Sequence, residues 1–275
     1  MKSLGIVIIL IILIMVYWYY GSTHRAYKEN LSRALSADNL DNNEIITEKD
    51  LQYLPVVIQK YLRYVDVVGK KKINQFAIDI DGEMRLDEDK DWAPITAEQK
   101  TFINQSIRLF YMTMKYKGIP INGLHHFEKG KASMVIKILD LIKVVDQRGE
   151  IMNKAETVTF FNDMCIFAPS TLIDANITWE EIDELSVIAH YTLEGIKISA
   201  QLFFNEKGQL INFISNDRYK IENNNNYKQI KWSTPVSGYK NFNGYNLASI
   251  GQGIWHYEDR DFSYIKLNIK NIHYK

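Results

Sequence analysis

The sequence predicts a mainly β protein, an antiparallel meander with two helical segments, preceded by a transmembrane helix. Three observations support this prediction: an uncharged segment at Leu4–Tyr20, a change from helical spacing to strand alternation after Ile73, and turn signals between the later apolar runs. The 275 residues include 17 Tyr and 12 Phe, which favour strands. The order of these segments contains no repeated unit of strand and helix, which argues against a doubly wound parallel sheet.

The uncharged segment Leu4–Tyr20 is predicted to be an uncleaved membrane anchor. As a helix it reaches the lower length limit for crossing a bilayer, and its four closing aromatic residues suit the interface. A cleaved signal peptide is the alternative, but bulky residues stand where cleavage would require small ones. We therefore expect residues 1–21 to anchor the chain in the cell membrane. Residues 22–46 would form a juxtamembrane helix or spacer, and 47–275 one β-rich domain outside the cytoplasm.

Two helical segments are predicted in the body of the chain. Thr47 and Asp50 form a capping pair, and apolar residues then recur every three or four positions, which predicts a helix over residues 47–68. Pro55 is compatible with this pattern if one helix ends before it and a second begins there. A central helix is predicted over Asn153–Phe167, packed on one face of the sheet.

The strands are predicted from apolar alternation and from hairpin turns such as Glu194-Gly195 and Asn243-Gly244. The first strand follows Ile73, where apolar and acidic residues alternate. Gly251-Gln-Gly253 is predicted to mark a bulge in a curved strand. The further strands are expected at Thr96–Asn104, Ser106–Lys117, Gly123–Glu128, Lys131–Ile138, Ser186–Leu193, Ile196–Phe204, Gln209–Tyr219, Lys228–Thr234, Tyr245–His256 and Ser263–His273.

The composition excludes several classes of function. Lys and Arg number 33, as do Asp and Glu, so the chain lacks the basic excess of a nucleic-acid binder. Its single cysteine, Cys165, cannot form an internal disulfide or a cysteine-based zinc site, and is expected to be a buried thiol. The sequence contains no phosphate-binding loop, dinucleotide fingerprint or nucleophile elbow. No cofactor or metal is predicted.

Two clusters of acidic residues could have a chemical role, but an ordinary structural role is favoured for each. Asp87, Asp89 and Asp91 occupy ligand positions of a calcium loop, but Trp92 replaces the required glycine, so an acidic hairpin turn is favoured. The acidic run from Glu180 to Glu184 is likewise predicted to be a solvated turn.

Two further groups of polar residues lie within predicted strands. His125 and His126 are adjacent on one strand and must point to opposite faces, so they cannot share a metal. Arg218 follows Asp217, and a structural ion pair between them is favoured, with an anion or lipid-headgroup contact as the alternative.

Several spaced motifs resemble a bacterial protein family of uncharacterised function over about residues 50–275. The motifs are Leu54-Pro55-Val56, Tyr61-Leu62-Arg63-Tyr64-Val65, Trp92-x-Pro94-x-x-Ala97-Glu98-Gln99, Phe167-Ala168-Pro169-Ser170, Trp179-Glu180 and Asp217-Arg218-Tyr219. This resemblance implies an outline of the fold and no catalytic residue. The order of elements is also similar to the periplasmic lipoprotein-carrier fold. That second resemblance implies a strongly curved half-barrel sheet wrapped around helices, with an apolar cavity.

Two of the predicted strands, 106–117 and 131–138, are apolar on both faces, which indicates apolar surroundings on both sides. We hypothesise a pocket for a hydrophobic ligand between the sheet and the central helix. A core filled by the helices is the alternative. The candidate ligand-binding residues are Leu109, Tyr111, Met134, Ile136, Phe161, Met164 and Arg218.

The favoured function is a membrane-tethered, extracytoplasmic module that binds a lipid or another hydrophobic molecule. A non-enzymatic structural or assembly protein of the cell envelope is the alternative, and an enzyme with a site dispersed over strands is the third class. The bilayer is the predicted partner, through Leu4–Tyr20, and nucleic acid is not.

Overall fold

The computed structural model describes residues 21–37, 44–221 and 227–275. The four α-helices of these ranges are α1 Ser22–Ser36, α2 Glu48–Leu51, α3 Val56–Val65 and α4 Glu150–Phe167, and a 3-10 helix covers Pro169–Ile173. The strands are β1 Gln75–Met84, β2 Ala93–Phe102, β3 Ile107–Tyr116, β4 Ile119–Glu128, β5 Lys131–Ile138, β6 Ile142–Arg148, β7 Ile177–Asp183, β8 Ser186–Leu193, β9 Ile196–Phe204, β10 Leu210–Ser215, β11 Tyr219–Ile221, β12 Tyr227–Gln229, β13 Lys231–Ser237, β14 Lys240–Phe242, β15 Tyr245–Leu247, β16 Ile250–His256 and β17 Asp261–Tyr274.

The predicted anchor Leu4–Tyr20 lies outside the described residues. Among the helices that are described, none is both long and apolar enough to cross a bilayer.

Thirteen strands form one antiparallel sheet, in the order β6-β5-β4-β3-β2-β1-β17-β16-β13-β10-β9-β8-β7. The strands before α4 and the strands after it form the two halves, which meet where β1 pairs with β17. Two small ribbons, β11–β12 and β14–β15, lie beside this sheet. The prediction of a mainly β protein built on a large antiparallel sheet is therefore confirmed.

The sheet curves around α4, which lies on its concave face. Near the start of α4, Asn153 Oδ1 accepts a hydrogen bond of 2.7 Å from the backbone N–H of Ala132 in β5. Further along α4, the ring of Phe161 stacks on Tyr191 of β8 with 4.7 Å between centroids. Because β5 and β8 are each second from opposite edges, one helix can contact both only if the sheet is strongly curved.

Helix α4 leaves one end of the first half of the sheet uncovered. Strands β1, β3 and β5 run in the same direction, so their closing turns at residues 85–92, 117–118 and 139–141 share one end, here called the upper end. Helix α4 lies towards the other end, where the hydroxyl of Tyr274, at the close of β17, donates to the carbonyl of Phe167 at 2.6 Å. The upper part of the concave face is therefore open in the first half of the sheet, whereas in the second half α4 reaches the end of β10, where Lys154 pairs with Asp217.

Helix α1 packs on the opposite, convex face. Tyr27 is buried, and its ring lies 5.8 Å from that of Tyr111 in β3. At the start of α1, the hydroxyl of Thr23 donates to Asp140 Oδ1 at 2.5 Å, which places this end of α1 at the upper end of the sheet. The segment expected to be a juxtamembrane helix or spacer is thus a helix over Ser22–Ser36, and it packs against the sheet.

Most predicted helices and strands are observed, with differences at the edges of the sheet and in three long strands. Each of these three is divided between the main sheet and a small ribbon: Gln209–Tyr219, Lys228–Thr234 and Tyr245–His256. The helix predicted over 47–68 divides at Pro55 into α2 and α3, and Thr47 N donates to Asp50 Oδ2 at 2.6 Å as the capping pair requires. Strands β6 and β7 were not predicted. Both are edge strands whose side chains are mostly exposed, so they lack the apolar alternation that identifies a half-buried strand. The acidic run that begins at Glu180 therefore opens within β7, which corrects the prediction of a turn.

Candidate functional site

A cavity of about 380 Å³ lies on the concave face, between α4 and the open half of the sheet. This volume is within the range of small-molecule sites, and the walls are mostly apolar, as such sites usually are. Strands from both halves of the sheet contribute to it. Characteristic lining residues are Met112, Met134, Ile136, Val236, Trp255 and Phe262.

Two glycines of β16 lie along the cavity, and only one of them faces empty space. Gly251 and Gly253 both line the cavity. A Cβ added at Gly251 would meet only Val236 Cγ1 at 3.8 Å, whereas one at Gly253 would lie 2.8 Å from the ring of Tyr264 and the side chain of Ile265. The pairing of β16 with β17 shifts register next to Gly253, which confirms the predicted irregularity.

Three of the seven candidate residues, Met134, Ile136 and Arg218, line the cavity. Leu109 and Tyr111 do not, because they lie on the convex face beneath α1, in a second apolar cluster with Tyr27. Side chains alternate along a strand, so the residues of β3 that reach the cavity are the intervening ones, such as Phe110 and Met112. The hypothesis selected the wrong face of β3.

The two candidates on α4 also point elsewhere. Phe161 stacks on Tyr191, and Met164 is buried in the main core. The face of α4 that lines the cavity is mixed: it carries the polar residues Glu156, Thr159, Asn162 and Asp163 beside apolar ones such as Ile166. Sequence reasoning missed these four polar residues.

The polar face of α4 forms a buried polar cluster with strands of the first half-sheet. Arg108 Nε lies 2.6 Å from Asp163 Oδ2, and its Nη1 lies 3.4 Å from Glu156 Oε2. Gln99 Nε2 donates to Asp163 Oδ2 at 2.8 Å, and His125 Nδ1 lies 3.3 Å from Glu156 Oε1. These contacts hold α4 against β2, β3 and β4, and they form one wall of the cavity.

The charges of the cluster compensate one another. Burial alone would raise the pKa of Glu156, but the neighbouring His125, Arg108 and Arg218 outweigh burial and lower this pKa to about 2. Burial raises the pKa of Asp163, and the contact with Arg108 opposes that rise. Both carboxylates are engaged by cations, so the cluster serves to orient α4 rather than to present a free acid or base.

Arg218 is the most unusual of the lining residues. Its guanidinium carbon lies 4.7 Å from the ring centre of Trp232 and 5.7 Å from that of Trp255. Nη1 donates to the carbonyl of Ala155 at 3.0 Å and to the hydroxyl of Thr159. Its Nε is buried and has no hydrogen-bond partner among the described residues, and the same holds for the indole N–H of Trp232.

The ion pair predicted between Asp217 and Arg218 is not formed. Asp217 Oδ1 instead lies 2.7 Å from Lys154 Nζ, and its Oδ2 accepts from the backbone N–H of Ser199 at 2.7 Å. Neighbouring residues of an extended segment point to opposite sides, which is why Arg218 reaches the cavity while Asp217 does not.

The remaining chemical candidates take structural positions. His125 faces the cavity while His126 Nε2 lies 3.3 Å from Glu128 on the other face, as predicted for adjacent strand residues. Cys165 is buried, and burial raises the pKa of its thiol. In the described ranges, no three His, Cys, Asp or Glu side chains group as metal ligands would. The loop that carries Asp89 is exposed, and Asp89 pairs with Lys90.

The sequence model of the family DUF6544, a family of unknown function, matches residues 44–267. This match confirms the resemblance to an uncharacterised family. No curated protein matches the chain.

Several solved structures are similar to it, three of them with the following identity, coverage and TM-score. A domain named as an outer membrane lipoprotein-sorting protein, from Vibrio parahaemolyticus, has 9% identity and a TM-score of 0.45, covering 80% of this chain and 91% of its own. A LolA superfamily protein from Nitrosomonas europaea has 8% identity and a TM-score of 0.41, with coverages of 84% and 94%. A DUF1329 family protein from Desulfovibrio piger has 8% identity and a TM-score of 0.32, with coverages of 79% and 91%.

Proposed function

The chain belongs to DUF6544, a family of unknown function, and we propose that it binds a lipid or another hydrophobic molecule in the cavity above α4 while tethered to a membrane. The observation that carries this proposal is the cavity of about 380 Å³ with mostly apolar walls. Native interiors are close-packed, with few voids larger than a water molecule, so an unfilled apolar space of this size favours a ligand site. The methionines at positions 112 and 134 supply adaptable walls for a flexible apolar ligand.

The tether is supported by the sequence of Leu4–Tyr20, which is uncharged and ends in aromatic residues. Helix α1 begins at Ser22, so the folded body would follow the membrane segment almost directly. The short N-terminal tail with the single cation Lys2 favours an orientation with the body outside the cytoplasm.

Two matched tryptophan substitutions test whether the cavity receives a ligand. Met134→Trp would fill the cavity, whereas Met164→Trp would overpack the core on the other side of α4. We expect Met134→Trp to abolish binding of the neutral fluorophore N-phenyl-1-naphthylamine with little loss of stability. We expect Met164→Trp to lower the free energy of unfolding by about 1–3 kcal/mol and to retain binding.

The full chain, held in amphipol, is the protein for this test, with empty amphipol as the blank. Native mass spectrometry of the same preparation should reveal additional mass from a bound molecule, and extraction with organic solvent should remove that molecule. If the parent protein binds no probe and the two variants are destabilised alike, the cavity is a collapsible part of the core and the proposal fails.

A further inference from the structure

The upper end of the cavity carries two cations over one aromatic ring. The guanidinium carbon of Arg85 lies 4.9 Å from the ring centre of Phe262, and Lys220 Nζ lies 5.1 Å from the same centre. Both side chains line the cavity and are only half-exposed. Positive charge is therefore concentrated where the apolar walls end.

Neither cation pairs with a carboxylate within the described ranges. Arg85 donates to the carbonyls of Ser263 at 2.8 Å and Glu88 at 3.4 Å, and Lys220 donates to the hydroxyl of Tyr257. Carboxylates are available nearby, but they serve other cations. Glu88 binds Arg260 at 2.6 Å, and Glu83 binds Lys266 at 2.6 Å. Half-buried cations without a counter-charge are costly, which indicates that an anion completes the arrangement.

Two unsatisfied donors lie at the same end. Arg218 Nε and Trp232 Nε1 are buried in the cavity wall without acceptors among the described residues, although buried donors are nearly always satisfied. Trp232 pairs with Trp255 across β13 and β16, and Trp255 pairs with Phe262 across β16 and β17. The donors and the two cations thus belong to one continuous surface.

We propose that this surface binds the negatively charged headgroup, carboxylate or phosphate, of an amphiphile whose tail occupies the apolar cavity. Lys220 and Arg85 supply the balancing charge. Arg218 Nε and Trp232 Nε1 are closed off from solvent, and a rotation of the two side chains would let both atoms donate to the headgroup. This assignment rests on the proposed function, because it presumes that a ligand enters the cavity. The polar cluster cannot take this role, since Arg108 is already neutralised by Asp163.

The experiment compares amphiphiles with one tail and different headgroups. The measurement is the displacement of N-phenyl-1-naphthylamine from the full chain in amphipol. The competing amphiphiles are dodecanoate, dodecyl phosphate, dodecanol and dodecyltrimethylammonium. We expect an anionic headgroup to bind at least about tenfold more tightly than dodecanol, because hydrogen bonds to a charged group are stronger than those to a neutral hydroxyl. The two anionic probes separate a carboxylate ligand from a phosphate ligand, and a preference for either supports the proposal.

Four variants show which side chains produce the preference for an anion. Lys220→Gln and Trp232→Phe should each weaken anion binding about tenfold while dodecanol affinity changes less than about threefold. Lys266→Gln is the matched control, because Lys266 is paired with Glu83 and its loss removes the same charge from the neighbourhood. Lys220→Arg should restore anion binding.

Equal affinity for dodecanol and the anions, or an unchanged preference in Lys220→Gln and Trp232→Phe, would overturn the headgroup assignment and leave the apolar site intact. Failure of every amphiphile to displace the probe would overturn both proposals.

A separate observation concerns the outside of the upper end. Five large aliphatic side chains there are between 44% and 59% exposed, and four of them follow one another along the β5–β6 hairpin. Such a concentration of exposed apolar surface marks an interaction site in most proteins. We call it the upper-end patch, formed by Ile119, Leu139, Leu141, Ile142 and Val144.

The start of α1 is fixed beside this patch. Lys137 Nζ donates to Ser22 Oγ at 2.9 Å, and Thr23 binds Asp140 in the hairpin turn. The predicted membrane segment ends at Tyr20, two residues before Ser22, and two residues span at most about 7 Å. Whatever surrounds Tyr20 must therefore also approach the patch.

The geometry points to the lipid bilayer as the partner of the upper-end patch. The exposed lysines at 115 and 117 flank the patch and would contact lipid headgroups, while its aliphatic side chains enter the interface. The open half of the cavity would then face the membrane. This inference needs the tether but not a ligand.

Nitroxide labels at matched positions test the contact in nanodiscs. Ile142→Cys places the label on the patch, and Ile182→Cys places it on β7, the opposite edge strand, where Ile182 is 47% exposed. We expect the label at 142 to be more accessible to oxygen than to a polar nickel complex, and the label at 182 to show the reverse. Equal, water-like accessibility at both positions would overturn the inference.

Discussion

The carboxylate of Glu156 lies 3.3 Å from His125 Nδ1, so α4 is joined to β4 by a buried polar contact that also forms part of the cavity wall. The neighbouring His125, Arg108 and Arg218 keep the pKa of Glu156 near 2, below the ordinary value of 4.5. A carboxyl group with a lower pKa in the folded state stabilises that state above its unfolded pKa and loses the effect as pH falls.

Stability should therefore decrease between about pH 4.5 and pH 2, by on the order of 3 kcal/mol for this group. Glu156→Gln should be clearly less stable than the parent at pH 7, and the difference should shrink as the pH approaches 2. Urea unfolding across this pH range measures both. A difference that does not change with pH would contradict the assigned ionisation of Glu156.

Filling the glycine face of β16 should distinguish open space from packed structure. Gly251→Leu should reduce binding of N-phenyl-1-naphthylamine with a change in unfolding free energy below about 1 kcal/mol, because a Cβ there meets only one neighbour, at 3.8 Å. Gly253→Leu is the contrasting variant and should destabilise the protein by about 1–3 kcal/mol, because its Cβ would lie 2.8 Å from Tyr264. Similar effects of both substitutions would mean that the space beside Gly251 is not a cavity.

The packing of α1 on the sheet predicts how many N-terminal residues can be deleted without loss of folding. Deleting residues 1–21 should leave a soluble, folded protein, because α1 still covers Leu109 and Tyr111. Deleting residues 1–36 should expose that apolar surface and cause aggregation. Size-exclusion chromatography of the two truncated chains tests this. Aggregation of the shorter deletion would show that residues 1–21 contribute to the core.

Within α1, Tyr27→Ala should lower the free energy of unfolding by about 3 kcal/mol, since its buried ring contacts Tyr111. Lys28→Ala is the surface control at the next position and should cost less than about 0.5 kcal/mol. Equal, small effects in urea unfolding would mean that α1 does not pack on the sheet in solution.

Cys165 should be unreactive in the folded protein. It is buried and the pKa of its thiol is raised, so little thiolate is available for attack. Ellman's reagent should detect no thiol in the native chain and one thiol in urea. The Ile182→Cys variant, exposed on β7, is the positive control and should react at once under native conditions.

The central strands were predictable from sequence because they are covered on at least one face and therefore show apolar alternation. Edge strands β6 and β7 were not, since most of their side chains meet solvent. For the site, alternation alone could not decide which face of β3 meets the cavity, because α1 buries Leu109 on the other side. The same ambiguity affected Phe161 on α4, a helix that is buried on nearly every side. Which face meets the cavity depends on register and long-range packing, and no local pattern encodes that.

The pairing of β1 with β17 has a consequence for the order in which the chain can fold. Strands β1 to β6 are synthesised consecutively and can form hairpins as they emerge, but β1 remains an unpaired edge until residues 261–274 have been made. Because the cavity takes its walls from both halves of the sheet, its assembly has to wait for the last strand. A chain that ends prematurely before β17 would present β1 as an open edge for intermolecular pairing, and would be a substrate for quality control before it could hold any ligand.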